Sequence, residues 1–242
     1  MSKPKAAFIL SKDPVLEHTG DIALARMLMQ LAADSFEMSA IALSPEPGTV
    51  AADLVPGGLP LHRVHKPAIR PHRLLIDSLR RRRSLVHVRF DTDELVRAID
   101  RSDADVFVAE HSYMAESFFR SVHFGTKRLV VNTNVSESLV WRASRGALGR
   151  IEEPRLVRDE LRVARAADGV GTYDAEEAEY YRDNGVRDAR FMDITMPPGP
   201  QVDVAASPRP SPRLAPPSWP PLRLARTLDA IAAGLCITAL PR

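Results

Sequence analysis

Four small polar residues, Asn132, Thr133, Asn134 and Ser136, follow directly on the apolar run Leu129-Val130-Val131. The run reads as a buried strand. A buried strand that opens into a polar loop at its carboxyl end is where open α/β sheets place their ligand crevices. The same residues also suit a β–α turn with good capping groups and no ligand. His111 stands in a similar place, in Glu110-His111-Ser112-Tyr113 after the strand-like run Asp105 to Ala109. An imidazole there can act as a general acid or base or bind a sugar hydroxyl, or it can be a hydrogen-bonded structural residue. A third polar loop, Ser11 to Gly20, holds Lys12, Asp13 and His18. Glycine at a helix start lets a phosphate or sugar approach backbone amides, although turns need glycine too. There is no G-x-G-x-x-G, so a dinucleotide fingerprint is not supported.

The elements that must position these residues are legible along the chain. Ala6 to Leu10 is a strand, Asp21 caps a helix with Ile22, Ala25, Leu28, Met29 and Ala32 at helical spacing, and Met38 to Leu43 is a second strand. Pro45 to Pro60 reads as a loop, and Leu59 to Val64 as a further strand. Phe90 to Asp100 and the segment with Met114, Phe118 and Phe119 read as helices. Leu139, Val140 and Trp141 suit a helix start after the central polar loop. Gly146 and Gly149 read as a flexible segment, and Glu153-Pro154 as the opening of the next helix. Asp168 to Thr172 is a strand, Asp174 caps a helix that ends at Asn184-Gly185, and Ala189 to Ile194 is the last strand. About seven strands alternating with helices predict an α/β fold with a doubly wound, mainly parallel sheet.

Bulk properties narrow the class. The 242 residues are 45% hydrophobic and 26% charged, values of an ordinary globular protein. Cys236 is the only cysteine, so an internal disulfide and a cysteine metal cluster are excluded and a reducing compartment fits. With no signal peptide and no apolar run near the ~20 residues of a membrane span, a cytoplasmic location is expected. No metal site is expected, because no His/Cys/Asp cluster has ligand spacing, and no cofactor is expected.

From His62 to Arg83 the chain is basic, with Arg63, Lys66, Arg70 and Arg73 before Arg80-Arg81-Arg82-Arg83. Two readings are open. The arginines form a solvated helix face that suits the carboxyl-terminal dipole, or a patch for anionic lipid headgroups or a phosphorylated acceptor. Nucleic acid is not expected, since no aromatic residue is interleaved to stack on bases. Residues 197–221 carry ten of the chain's twenty prolines and read as a linker, and 222–242 as a short final segment.

Several segments together resemble the amino-terminal half of a GT-B glycosyltransferase of the retaining, group 1 type. Thr133-Asn134-Val135-Ser136-Glu137-Ser138 and the helix behind it are similar to the family's His-Asn-Val-Glu-Ser stretch. Asp159-Glu160 followed by Ala164-Arg165-Ala166-Ala167-Asp168 is similar to the helix leading into its last amino-domain strands. Thr172 to Glu177 resembles its Val-Ser-Glu-x-Asp segment, and Met196-Pro197-Pro198-Gly199-Pro200 its crossover. The resemblance implies a Rossmann-like acceptor-side domain over 1–196, the linker over 197–221, and a remnant or disordered end over 222–242. It implies hexosyl transfer from a nucleotide-sugar donor to a sugar or lipid acceptor. The alternative is a non-catalytic binding module derived from such an enzyme. Implied catalytic residues are His111 and Thr133. Implied substrate-binding residues are Gly20, Asp21, Tyr113, Asn132, Asn134 and Glu137. Peripheral membrane contact would run through Arg80, Arg81, Arg82 and Arg83. The chain departs from the family at Thr133, where histidine is common, and lacks a counterpart to the donor domain's phosphate-binding Arg/Lys pair. Leu228-Asp229-Ala230-Ile231-Ala232-Ala233-Gly234-Leu235 is similar to an element of that domain, so the end reads as a remnant of a truncated enzyme.

Overall fold

A computed structural model describes residues 2–134 and 136–194. The described residues up to Phe191 belong to one compact unit. The 196–200 crossover, the Pro-rich segment, Asp229 and Cys236 lie outside the described residues.

The elements run β1 (Lys5–Leu10), α1 (Gly20–Ala32), β2 (Glu37–Ser44), β3 (Gly48–Ala52), β4 (Leu59–His65), α2 (Pro71–Arg81), α3 (Leu85–Phe90), α4 (Asp93–Asp100) and β5 (Val106–Glu110). Then come α5 (Ala115–Phe119), β6 (Arg128–Thr133), α6 (Glu137–Ser144), α7 (Gly146–Ala166), β7 (Gly169–Thr172), α8 (Ala175–Asp183) and β8 (Ala189–Phe191). The strands form one sheet in the order β3-β4-β2-β1-β5-β6-β7-β8. All pairs are parallel except β3 with β4.

The parallel strands are apolar on both faces because helices cover both. In β1, Ala7 and Ile9 join a core with Phe90, Leu95, Ile99, Phe107, Phe118 and Leu156. Their neighbours Ala6, Phe8 and Leu10 point the other way, into a core with Ala25 and Met29 of α1 and Ala40, Ala42 and Leu61. Strand alternation thus feeds two helix layers from one strand. A third cluster, with Leu161, Val170, Tyr181 and Ala189, packs α8 against the far end of the sheet.

Three local expectations are corrected. The stretch from Pro45 to Pro60 is not all loop: Gly48–Ala52 is an antiparallel edge strand, with Val50 opposite Leu61 and Ala52 opposite Leu59. Its own sequence is a poor strand former, and the partner β4 supplies the ladder. Gly146 and Gly149 are not a flexible segment but the first turn of α7. Gly146 takes φ +55, which lets α6 turn directly into α7, and a Cβ at Gly149 would sit 1.9 Å from the Trp141 carbonyl oxygen. Pro154 therefore lies inside a helix rather than at its start. The carbonyl it leaves without a partner belongs to exposed Arg150, where water can satisfy it.

The basic segment is also not simply a solvated face. Arg63 is largely buried, 2.8 Å from Asp13. Arg81 pairs with Asp91 at 2.5 Å, and Arg83 lies 3.8 Å from buried Asp159. Arg81 and Arg83 line an inner cleft of about 390 Å³ with Arg120 and Arg162, facing Asp91 and Glu116. Arg80 and Arg82 remain exposed.

Candidate functional site

The chain leaves β1 toward β2, β4 and β3 on one side of the sheet and returns to β5, β6, β7 and β8 on the other. The topological switch point therefore lies between β1 and β5. At their carboxyl ends a narrow crevice is lined by Leu10, Ser11, Asp21, Ile22, Ala25, Glu110, His111 and Asn134. As it stands, the crevice has no room for a water molecule. Entry of a ligand requires the walls to part.

His111 is the residue on which the site turns. It holds φ 73 and ψ 146, a region that is almost exclusive to glycine. Its backbone N–H donates to the Asn132 carbonyl at 2.8 Å, which continues the β5–β6 ladder through the strained residue. Its imidazole stacks on Tyr113, with ring centroids 5.0 Å apart and planes at 8°. Tyr113 is in turn stacked on Phe90 at 4.6 Å, so an aromatic column backs the imidazole. The two ring nitrogens face opposite carboxylates. Nε2 lies 3.7 Å from Asp21, and Nδ1 lies 3.6 Å from Glu137. Both distances exceed a hydrogen bond, and buried Nδ1 has no partner.

The flanking acids are held in different states. Burial opposes ionisation of Asp21, but His111, Lys12 and Thr19 outweigh it and hold the carboxyl well below the ordinary range. Lys12 Nζ donates to both Asp21 oxygens, at 2.8 and 3.1 Å. Glu137, at the start of α6, is raised by burial, with His111 pulling the other way. Glu110 is pushed up to about 7 by burial, against a hydrogen bond from Asn132. That bond, Asn132 Nδ2 to Glu110 Oε1, is 3.0 Å, and Glu110 Oε2 has no partner.

The remaining candidates are placed as follows. Gly20 is exposed at the first residue of α1, with open space where a Cβ would sit. Asn134 lines the crevice, and neither its Oδ1 nor its Nδ2 has a partner. Asn132 is buried and acts on Glu110 and on the His111 backbone. Thr133 is turned toward β7. Its hydroxyl donates to the Gly171 carbonyl at 3.3 Å and adjoins Glu177, whose carboxyl burial raises to about 8. The fold thus brings Asp21, His111, Asn134 and Glu137 together and sets Thr133 one strand away.

Three supporting residues are visible in the sequence, which assigns them no role in the site. Glu110 and Lys12 were visible only as neighbours of His111 and of the glycine loop. Glu160, from mid-α7, caps α6: its Oε1 accepts the N–H groups of Glu137 at 2.6 Å and Ser138 at 3.3 Å. That carboxylate at a helix N-terminus holds Glu137 toward His111. Its signal, a Glu 23 residues distant in the chain, has no local periodicity.

The raised Glu110 gives a testable pH dependence. Below its ordinary value of 4.5 both folded and unfolded forms are protonated. Between 4.5 and about 7 the unfolded chain has lost the proton and the folded chain keeps it, so this residue's contribution to stability falls as pH rises. Glu110→Gln keeps an acceptor for Asn132 and removes the titration. Its melting temperature should match the native chain's near pH 4.5 and exceed it increasingly toward pH 8. A gap that does not change with pH would show that the carboxyl titrates normally.

Fold and crevice define a doubly wound, Rossmann-like α/β protein with a GT-B-like fold. The chain is similar to the sucrose-phosphate synthase of Thermosynechococcus elongatus, with TM-score 0.57 and 11% identity, covering 79% of this chain and 48% of that one. It also aligns with a protein described as a UDP-N-acetylglucosamine 2-epimerase from Listeria monocytogenes (TM-score 0.49, 12% identity, 81% of this chain and 46% of that one). A third alignment is with the α,α-trehalose 6-phosphate synthase of Burkholderia multivorans (TM-score 0.40, 12% identity, 75% and 42%). The chain spans about half the length of the synthase that shares its fold. No protein-family model matches the sequence, and no curated protein matches it. Among the described residues, no helix is long and apolar enough to cross a membrane, and no three His, Cys, Asp or Glu are grouped to hold a metal ion.

Proposed function

We propose that this chain is the acceptor-side half of a retaining, group 1 type GT-B glycosyltransferase, with residues 1–196 as its acceptor domain. The reaction moves a hexosyl group from a nucleotide-sugar to a sugar or lipid acceptor. The bond between the anomeric carbon and an acceptor oxygen forms as the bond to the donor phosphate breaks. The nucleoside diphosphate leaves, and the acceptor's hydroxyl proton ends on the phosphate.

One observation carries the reading. Glu110 Oε2, His111 Nδ1 and both polar atoms of Asn134 are buried around one crevice at the switch point without partners. A buried polar group left unpaired costs about 1–3 kcal/mol, so four together imply a ligand that supplies both donors and acceptors. Sugar hydroxyls do both. In this reading His111 contacts the reacting hydroxyl, with Thr133 as the second catalytic candidate. Asp21 and Glu137 orient the imidazole, Asn134 binds the sugar, and Asn132 and Tyr113 fix the wall behind them. Gly20, with open space beside it, is where the donor approaches. Contact of the 80–83 arginines with a membrane belongs to the same reading, as the way a lipid acceptor is met.

Calorimetry tests it. Glucose, mannose, N-acetylglucosamine and their octyl glycosides are titrated into the chain, then UDP- and GDP-sugars, and transfer is assayed. At least one saccharide should bind, and Asn134→Ala should weaken it about tenfold, the equivalent of one lost hydrogen bond. Saccharide binding without donor turnover favours the non-catalytic module. Neither saccharide binding nor turnover would remove both.

A further inference from the structure

We propose that the outward face of α2 is a docking surface for an anionic lipid bilayer. This deepens the membrane-contact reading above and rests on it, but changes the residues that make the contact. A surface helix ordinarily turns its apolar side inward. In α2 the arrangement is reversed. Ser78 is its only buried residue, donating to the Arg83 carbonyl at 2.6 Å and accepting from Arg155 at 3.2 Å. Leu75, Ile76 and Leu79 are 50%, 52% and 58% exposed, and Ile69 just before the helix is 56% exposed. Leu75 and Leu79 lie one turn apart, and Ile76 shares a column with Arg73 and Arg80.

The strip is rimmed by cations. Arg70, Arg80 and Arg82 are exposed, and their side chains form no ion pair among the described residues. Arg73 has Asp77 at 3.8 Å. Arg81 and Arg83, in contrast, are engaged inward with Asp91 and with Asp159. An aliphatic strip flanked by arginines is the composition of a helix that lies in a lipid interface, and anionic headgroups supply the missing counter-charge. A second copy of the chain fits less well. Two-fold pairing of this face would bring two arginine-rimmed strips together, with Asp77 the only acid within α2 to offset them. Arg155 on Ser78 ties α7 to the inner side of α2, which leaves the outer face free.

Sedimentation of the full chain with vesicles tests this. Vesicles of phosphatidylglycerol and phosphatidylcholine in equal parts should carry the chain down at low salt, and pure phosphatidylcholine should not. Raised salt should weaken the binding. Arg70→Gln/Arg80→Gln should lower the partition coefficient about thirtyfold. Leu75→Ser/Leu79→Ser should lower it by at least as much with an unchanged melting temperature, since these half-exposed side chains are not core. Binding that both variants leave intact would overturn the assignment to α2 while sparing the broader membrane reading. No binding by the native chain overturns both. A native dimer that Leu75→Ser/Leu79→Ser converts to monomer would give the face to a second copy instead.

Discussion

His111→Gly is expected to make the protein more stable and, on the proposed reading of the crevice, to weaken saccharide binding about tenfold. The two effects separate because they have different causes. The backbone of His111 sits at φ 73 and ψ 146, which a Cβ tolerates poorly. Glycine adopts this conformation freely, so the substitution should return about 1–3 kcal/mol of strain, less what is lost from stacking on Tyr113. His111→Ala keeps the strain and loses the ring, so it should be the less stable of the two variants. A histidine retained only to hydrogen-bond would behave otherwise. Its N–H bond to the Asn132 carbonyl is a backbone bond that both variants keep. His111→Gly with native saccharide binding would end the assignment of His111 to the binding site. His111→Gly less stable than His111→Ala would show that the strain is not real.

The second large effect is on folding. Asp13→Ala should destabilise the chain by about 3–5 kcal/mol, because it takes the buried carboxylate from the largely buried Arg63, which keeps only exposed Glu46 at 3.8 Å, and from three further hydrogen-bond donors. In a chain of this size that lowers the melting temperature by roughly 10 °C. Asp13 is fully buried, and its carboxylate gathers the loop between β1 and α1. Oδ1 accepts the N–H groups of Val15 at 2.9 Å and Leu16 at 3.2 Å, and Oδ2 accepts the Ser44 hydroxyl at 2.7 Å. Arg63 approaches Oδ2 at 2.8 Å. Burial opposes ionisation, but Ser44, the two backbone groups and Arg63 outweigh it and lower the carboxyl's pKa. Its folded value lies below its unfolded value. The stability it contributes is therefore present above the ordinary 3.8 and is lost as pH falls through the folded value. Asp13→Asn should retain part of the loop geometry and fall between native and alanine. Thermal unfolding of the three forms, at pH 7 and at pH 3, decides it: equal melting temperatures at pH 7 would contradict the argument. The same loop carries Lys12 against Asp21, so Asp13→Ala should also weaken saccharide binding.

Sequence reading reached the main architecture for a simple reason. The runs Ala6 to Leu10, Ala40 to Leu43 and Leu129 to Val131 are apolar at consecutive positions, as in a strand covered on both faces. Their polar ends then mark one sheet edge, and parallel pairing of β1, β5 and β6 puts those ends together. His111 and Asn134 could be nominated on that basis, whereas Asp21 read as a helix cap and entered the site only through the family resemblance. Where the local signal was weak, the reading missed. The Gly48–Ala52 strand has no pattern of its own and exists because β4 offers an edge. Gly149 looked like a loop glycine, but the approach of α7 to the Trp141 carbonyl is a contact between two helices that no window of sequence contains.

The sequence by itself determined the alternation of strands and helices, the two-faced core and the edge on which polar loops collect, since hydrophobic period is a local property of the chain. Only the tertiary structure decided which polar groups would lack partners. It set Glu110 beneath Asn132, put Glu160 on the first turn of α6, strained His111, turned Arg63 inward, and paired Arg81 and Arg83 with acids while leaving Arg70 and Arg80 exposed without one among the described residues. Pairing, burial and strain are relations between residues far apart in the chain. They become defined only when packing fixes the distances at which charges and hydrogen-bonding groups act.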